Sequence, residues 1–281
     1  MKLSRLFSLS VIIPMMLFAP AILFAGGGWT KEKGTAYYKV SHWWIDAGKQ
    51  FNFDGTSGAI PQEGIFRTSL FAEYGITNKL TGIINLPFSK SANDTESLSG
   101  IGDTDVALKY QLNKSGSKFV LASTLLLGLP LGDSSGGAEG TLQTGDGEFN
   151  QLVQLDLSRS FRVGPINAYA NVYLGFNNRT NDFSGEVRTG GEVGASVIKG
   201  RIWAILRLDM VESLQDGAES TNASNGATIF ANNTEYAAYT YEVAVYATKK
   251  VGISASYASV FDASLIFAAP SYSLGFFWDL K

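Results

Sequence analysis

The sequence ends on Ser271-Tyr272-Ser273-Leu274-Gly275-Phe276-Phe277-Trp278-Asp279-Leu280-Lys281, and the reading of this stretch decides the fold. Tyr272, Leu274, Phe276, Trp278 and Leu280 alternate with Ser271, Ser273, Gly275, Phe277, Asp279 and Lys281. In an extended strand that alternation puts aromatic and aliphatic side chains on one face and mostly small or polar ones on the other. Working inward, the same period recurs in Leu80, Gly82, Ile84, Leu86 and Phe88. It recurs again in Thr104, Val106, Leu108, Tyr110 and Leu112, set against Asp103, Asp105, Ala107, Lys109 and Gln111. Ile166, Ala168, Ala170, Val172, Leu174 and Phe176 likewise lie opposite Asn167, Tyr169, Asn171, Tyr173, Gly175 and Asn177. One side of each strand suits oil and the other suits water.

A soluble sandwich also alternates, so strand length and connection asymmetry decide between them. The segmentation predicts strands near 34–45, 64–76, 80–89, 102–112, 118–129, 148–160, 166–177, 186–198, 201–211, 235–248, 251–260 and 270–281. These twelve are longer than the usual ~5–6 residues of a soluble strand and long enough to cross a bilayer at a tilt. Connections at 77–79, 113–117, 161–165, 199–200 and 249–250 are tight, while 46–63, 90–101, 130–147 and 212–234 are long. Short turns at one end and long loops at the other are the asymmetry of an outer-membrane barrel. The expected fold is all-β, a closed antiparallel transmembrane β-barrel of about 12 strands, because only a closed sheet leaves no backbone group unpaired in lipid.

The first 25 residues read as an export signal: Lys2 and Arg5 supply positive charge, 6–24 are apolar, and Ala25 precedes Gly26, Gly27 and Gly28. The expected organisation is a signal peptide, 1–25, removed near Ala25 or alternatively Ala21 or Ala19, and a single barrel domain, 26–281, with no linker. That leaves 20 basic against 25 acidic side chains in the mature chain, about 21 residues per strand and connection.

The composition narrows the chemistry. Of 281 residues none is cysteine and one is histidine, which removes disulfide scaffolds, thiolate metal sites and cysteine nucleophiles. A formal charge of -3 with no basic block gives no footprint for nucleic acid. Charged residues are only 17% of the chain, and the 31 glycines are plentiful. No phosphate loop, dinucleotide fingerprint or zinc spacing occurs, so no cofactor and no metal site are expected.

Extending the alternation places Lys39, Arg67, Glu73, Asp103, Asp105, Lys109, Asp156, Glu186, Arg188, Glu192, Arg207, Asp209, Glu242 and Asp279 on the inner face, since Arg or Lys facing lipid at the midplane costs about 2–4 kcal/mol. Neighbours two apart, Glu186 with Arg188, Arg207 with Asp209 and Asp103 with Asp105, suggest a cross-linked interior. Two readings stay open: the charges neutralise one another and fill a narrow barrel, or they form a constriction that sorts solutes. Asp103 and Asp105 offer a carboxylate pair about 7 Å apart along a strand, but with Lys109 on the same face an interior ion network is the simpler role. Asp146 and Glu148 lie in a glycine-rich loop with too few oxygens for a calcium loop and read as solvated. The sequons Asn93-Asp94-Thr95 and Asn178-Arg179-Thr180 carry no weight in a bacterial barrel. Tyr37, Tyr38, Trp43 and Trp44, and Tyr236, Tyr239, Tyr241 and Tyr246, read as interfacial girdles, with a stacking platform for sugars or bases as the alternative. His42, among Ser41, Trp43 and Trp44 near the outer end of the first strand, has no evident catalytic partner, and no catalytic residue is assigned.

The run Ser99-Gly100-Ile101-Gly102-Asp103-Thr104-Asp105-Val106-Ala107-Leu108-Lys109-Tyr110 resembles the "GxGDxxLxLKY" signature of the MetA-pathway-of-phenol-degradation family of outer-membrane barrels. Glu73-Tyr74-Gly75-Ile76-Thr77-Asn78-Lys79-Leu80 resembles its tight-turn segment, and Leu127-Gly128-Leu129-Pro130-Leu131-Gly132 its later strand end. The similarity is best over 64–132. The chain departs from many outer-membrane strands in ending Trp278-Asp279-Leu280-Lys281 rather than on an aromatic residue. The resemblance implies passage of aromatic or other hydrophobic compounds through an outer-membrane barrel. Expected partners are membrane lipid, small hydrophobic or aromatic solutes and the insertion machinery. A channel with a lumen gap, or a lateral opening where Pro87 or Pro130 interrupts a ladder, is the leading expectation. The alternatives are a plugged structural or adhesive barrel binding through loops 46–63 and 212–234, and a hydrolase dependent on His42.

Overall fold

The computed structural model describes residues 27–136, 142–198, 200–218 and 230–280; the predicted signal peptide, 1–25, lies outside them. Thirteen strands follow one another: β1 (Ala36–Phe51), β2 (Ser57–Thr77), β3 (Leu80–Asn93), β4 (Ser97–Ile101), β5 (Thr104–Gln111), β6 (Val120–Leu129), β7 (Asn150–Val163), β8 (Ile166–Asn178), β9 (Glu186–Ile198), β10 (Ile202–Ser213), β11 (Glu235–Tyr246), β12 (Val251–Ser264) and β13 (Ser271–Leu280). All pairings are antiparallel between chain neighbours, and β13 pairs β1 from Tyr37↔Asp279 to Ile45↔Ser271, which closes the sheet. β4 and β5 both pair β3, the first from Phe88↔Ile101 and the second from Asn85↔Asp105, and so form one interrupted stave of a twelve-stave barrel.

That interruption is a bulge rather than the lateral gap expected at Pro87. Between the two pairings β3 advances by three residues and its partner by four, and the Gly102 N–H donates to the Pro87 carbonyl at 2.8 Å. Proline costs the ladder a donor but not an acceptor, so the wall stays sealed. Pro130 lies just past the end of β6 and interrupts no ladder.

Burial inverts the pattern of a soluble protein. Val40, Leu70, Ile84, Leu86, Phe88, Leu125, Leu155, Leu174, Val243, Ile253, Leu274 and Phe276 are exposed on the outside, while Ser41, Thr81, Ser89, Thr124, Ser158, Asn171, Thr240, Ser254 and Ser273 are buried inside. A continuous exposed apolar band of this kind is stable only against lipid.

The connections expected to be tight lie at one end, with β2–β3 joined through 78–79, β7–β8 through 164–165 and β11–β12 through 247–250. By the usual asymmetry this is the periplasmic end. At the other end two predicted loops are mostly strand. The 46–63 loop shrinks to 52–56, because β1 and β2 continue past a bulge between Ala47 and Lys49 and pair Lys49↔Ala59 through Phe51↔Ser57. The 90–101 loop shrinks to 94–96, with Ser91↔Leu98 and Ala92↔Ser97 paired. Lys49, Gln50, Asn52, Asp54 and Ser57 are polar on both faces of this hairpin, Gln50 even where it is buried, so they carry no apolar alternation by which to recognise a strand. The 130–147 segment is a loop as expected over its described part, and 214–218 and 230–234 bound the last long connection.

Candidate functional site

The inner wall carries the chemistry. Lys39 on β1 pairs with Glu242 on β11 at 2.8 Å, Glu242 also takes Arg207 Nη1 from β10 at 2.7 Å, Arg207 Nε pairs with Glu192 on β9, and Glu192 accepts the Tyr169 hydroxyl from β8. Two cations and two carboxylates thus run across five staves as one neutral chain. A second pair, Lys109 with Glu73, stands 3.4 Å apart. These are cross-strand contacts, and the expected same-strand pairing of Arg207 with Asp209 does not form. Arg207 faces Glu192 directly in the ladder, where neighbouring strands lie ~4.8 Å apart, whereas residues two apart on one strand are nearly 7 Å apart. Asp209 instead accepts the Tyr173 hydroxyl at 2.5 Å. Glu186 and Arg188 do pair, at 2.6 Å.

The Asp103–Asp105–Lys109 set expected on one face is divided among other partners. Lys109 turns to Glu73 and to the Gly27 carbonyl at 2.9 Å. Asp105 accepts from Asn85 at 3.2 Å. Asp103, next to the bulge, accepts the backbone N–H groups of Gly132 at 2.9 Å and Asp146 at 2.8 Å, stapling the outer loop 130–149 to the wall. Arg67 donates to Ser89 at 3.2 Å and lies over the rings of Trp43 and Phe230. Asp156 is held by Gln154 and Asn171, and Asp279 by Lys31 at 2.9 Å.

The aromatic residues expected in girdles split by parity. Tyr38, Trp44, Tyr239 and Tyr241 face outward, with Trp44 stacked on Tyr272 and Tyr239 against Tyr241 and Tyr257. Tyr37, Trp43, Tyr236 and Tyr246 instead line the interior. They sit an even number of residues from Lys39 or Glu242, so the alternation that turned those charges inward turned these rings inward as well. His42 faces outward, Nδ1 3.0 Å from Thr68 Oγ1 and its ring stacked on Trp44 and Phe66.

The inward rings create a cavity of about 840 Å³ at the periplasmic mouth, lined by Trp29, Tyr37, Tyr169, Trp203, Tyr246 and Phe277 together with the Lys39–Glu242–Arg207–Glu192 chain. A smaller cavity of about 90 Å³ lies deeper, between Lys109, Asp156, Tyr173, Arg188, Asp209 and Tyr236. Between them runs the N-terminal tail. Gly28 N–H donates to Ser158 Oγ at 2.7 Å, Trp29 meets Tyr169 edge to face at 5.6 Å, and Lys31 N–H donates to Thr81 Oγ1 at 2.8 Å. The tail's entry was not legible in the sequence; the one signal available was the pair Gly27 and Gly28, since the wall is packed so closely that a Cβ on Gly27 would stand 2.9 Å from Asn171 Cγ.

The outer mouth holds the other arrangement that sequence reasoning missed. Arg179, from the segment after β8, gathers Glu148 at 2.7 Å, Glu186 at 2.8 Å and Asp146 at 3.3 Å, over the ring of Phe183. Asp146 and Glu148 are therefore an ion-pair latch rather than solvated loop residues, and Glu148 is fully buried. Burial, with Glu148 and Asp103 close by, raises the Asp146 carboxyl from its ordinary 3.8 to about 8 against the pull of Arg179. Burial likewise raises Glu148.

No protein-family model matches the chain, and no curated protein matches it in sequence. Solved structures do match in shape. An outer-membrane channel from Pseudomonas putida F1 is 16% identical, with 92% of this chain and 100% of that chain covered and a TM-score of 0.61. The translocator domain of the autotransporter NalP from Neisseria meningitidis is 9% identical over 88% of this chain and 89% of that one, with a TM-score of 0.50. At such identities the likeness is one of fold, and the fold is the closed β-barrel of the bacterial outer membrane.

Proposed function

We propose that the protein is a passive outer-membrane channel for small hydrophobic or aromatic compounds. The observation that carries this reading is the cavity of about 840 Å³ at the periplasmic mouth, whose lining is rich in aromatic rings beside the paired charges. Sites for drug-sized apolar ligands share that size and make-up. The charges around this cavity support it by pairing: Lys39 and Arg207 are matched by Glu242 and Glu192, and Lys109 by Glu73, so this part of the wall offers a solute little net field. Selection by shape and apolar contact is then favoured over selection by sign. The resemblance of 99–110 to the MetA-pathway-of-phenol-degradation family and the shape likeness to an outer-membrane channel point the same way.

Single-channel recording of the refolded protein in a planar bilayer tests the reading. Steady steps with weak ion selectivity, blocked by phenol or indole and not by glucose, are the expected result. Silence from a barrel shown to be folded by its heat-modifiable gel mobility would overturn it. The second reading, a plugged structural barrel, is favoured by one observation, the tail that lies inside the barrel between the larger and the smaller cavity, and such silence would support it.

A further inference from the structure

We propose that residues 27–33 form a movable constriction of the pore and that Trp29 within them decides which solutes pass, an aromatic solute opening the path by taking Trp29's place against Tyr169 and Trp203. This rests on the channel reading above.

The tail belongs to both cavities. Gly27 lines the inner one, and Trp29, Thr30, Lys31 and Glu32 line the vestibule, so residues 27–29 stand between the two beside Glu192 and Arg207, which line both. Its attachment differs in kind from that of the wall. Neighbouring staves share long ladders, as the ten register positions of β1 with β13 show. Residues 27–33 join no strand. They hold to the wall through isolated contacts: Lys109 Nζ to the Gly27 carbonyl at 2.9 Å, Gly28 N–H to Ser158 Oγ at 2.7 Å, Lys31 to Thr81 and Asp279, and Thr30 and Lys33 to Asn78. Isolated bonds open far more readily than a continuous ladder, so the tail can withdraw while the barrel stays closed. The ligand class follows from what it displaces. Trp29 meets Tyr169 edge to face, and Tyr169 in turn lies 5.8 Å from Trp203. A flat, uncharged aromatic ring regains those contacts when Trp29 leaves, whereas a sugar or a hydrated ion regains none of them.

The chain has no native cysteine, so one engineered pair reports on the tail alone. A Cβ built on Gly28 lies 3.0 Å from Ser158 Oγ, within reach of a disulfide whose Cβ atoms stand roughly 3.5–4.5 Å apart. In the refolded Gly28→Cys/Ser158→Cys barrel the cross-link should form on oxidation, lower the conductance, abolish the block by indole, which can no longer take the place of Trp29, and be reversed by reductant. Trp29→Ala, which leaves the wall intact, should raise conductance. It should also lower the half-blocking concentration of indole by up to about tenfold, the value of one aromatic pair. A heat-modifiable barrel in which the two cysteines do not cross-link would overturn the proposal, as would equal conductance in the oxidised, reduced and Trp29→Ala forms. Those results leave the channel reading standing if the native protein conducts. Absence of conductance from every form, Trp29→Ala included, removes both.

Discussion

The two mouths of the barrel are closed by different means. At the extracellular mouth β1 and β2 rise past the membrane, Phe267 packs against Ile45 and Ile65, Asp103 staples the 130–149 loop, and Arg179 collects three carboxylates. Segments far apart in sequence are locked there by buried charge and apolar contact. At the periplasmic mouth the connections are short, the vestibule is aromatic, and the obstruction is a tail held by scattered hydrogen bonds. The outer closure concentrates buried charge on one guanidinium beside a packed apolar cluster, whereas the inner one is spread over several weak contacts. The predictions below test that difference.

The largest effect belongs to the wall that both mouths share. Arg207→Met leaves Glu192 and Glu242 facing each other without their shared cation, Lys39 remaining on one of them. Stripping a buried carboxylate pair of its partner costs about 3–5 kcal/mol, to be read as a lower urea midpoint for the refolded barrel at unchanged slope. An unchanged midpoint would mean that lumen water screens these charges and that the neutral chain is not what holds β9, β10 and β11 in place. Arg179→Leu comes next and acts locally: with Glu148 fully buried and Glu186 beside it, the loss of their shared cation should free the 130–149 loop from the wall. Trypsin or thermolysin should then cut that loop much faster than in the native protein, while the barrel's gel mobility stays the same.

How much of this was legible follows from what each residue faces. The lipid belt was read in full, because hydrocarbon tolerates only one kind of side chain and Leu274, Phe276 and Ile84 announce it. The inward charges were read by the same parity. Tyr37, Trp43, Tyr236 and Tyr246 were lost although the parity was present, because ring chemistry was allowed to outweigh position. The hairpin above Ala47 was lost because polar residues occupy both of its faces, Gln50 included although it is buried, and leave no apolar period. Arg179 was hidden for another reason: it meets Asp146 and Glu148 across 31 or more intervening positions of chain, and no local pattern marks a contact closed by loops. The tail at Gly27 and Gly28 showed only as two glycines.

The outer latch should also respond to pH, and the inner tail should not. The Asp146 carboxyl is raised to about 8 in the closed loop, so the closed form binds a proton that the open form releases in the ordinary carboxylate range. The stabilisation is therefore fully present at acid pH and is lost as pH rises through about 8. Glu148 is raised as well and adds in the same direction. Cleavage of the 130–149 loop should increase between pH 7 and pH 9, and Asp146→Asn should flatten the profile at the low, protected rate. A profile that Asp146→Asn leaves unchanged would place the titrating group elsewhere.

The smallest effect is expected on the outer face of the wall, away from both closures. His42 is exposed toward the membrane interface, with Thr68 Oγ1 beside Nδ1 and the rings of Trp44 and Phe66 stacked on it. His42→Ala trades a partly exposed stack and one hydrogen bond for a smaller side chain that lipid or water can cover, a change expected to lie within about 0.5 kcal/mol. Conductance, indole block and loop proteolysis should all match the native protein, because none of the contacts of His42 reaches the lumen. A change in conductance would show that outer face and pore are coupled through β1, whose inward neighbours of His42 are Ser41 and Trp43. The loss of an ester-cleaving activity would instead move the chemistry to the membrane side, since the chain has no other imidazole to serve as a base.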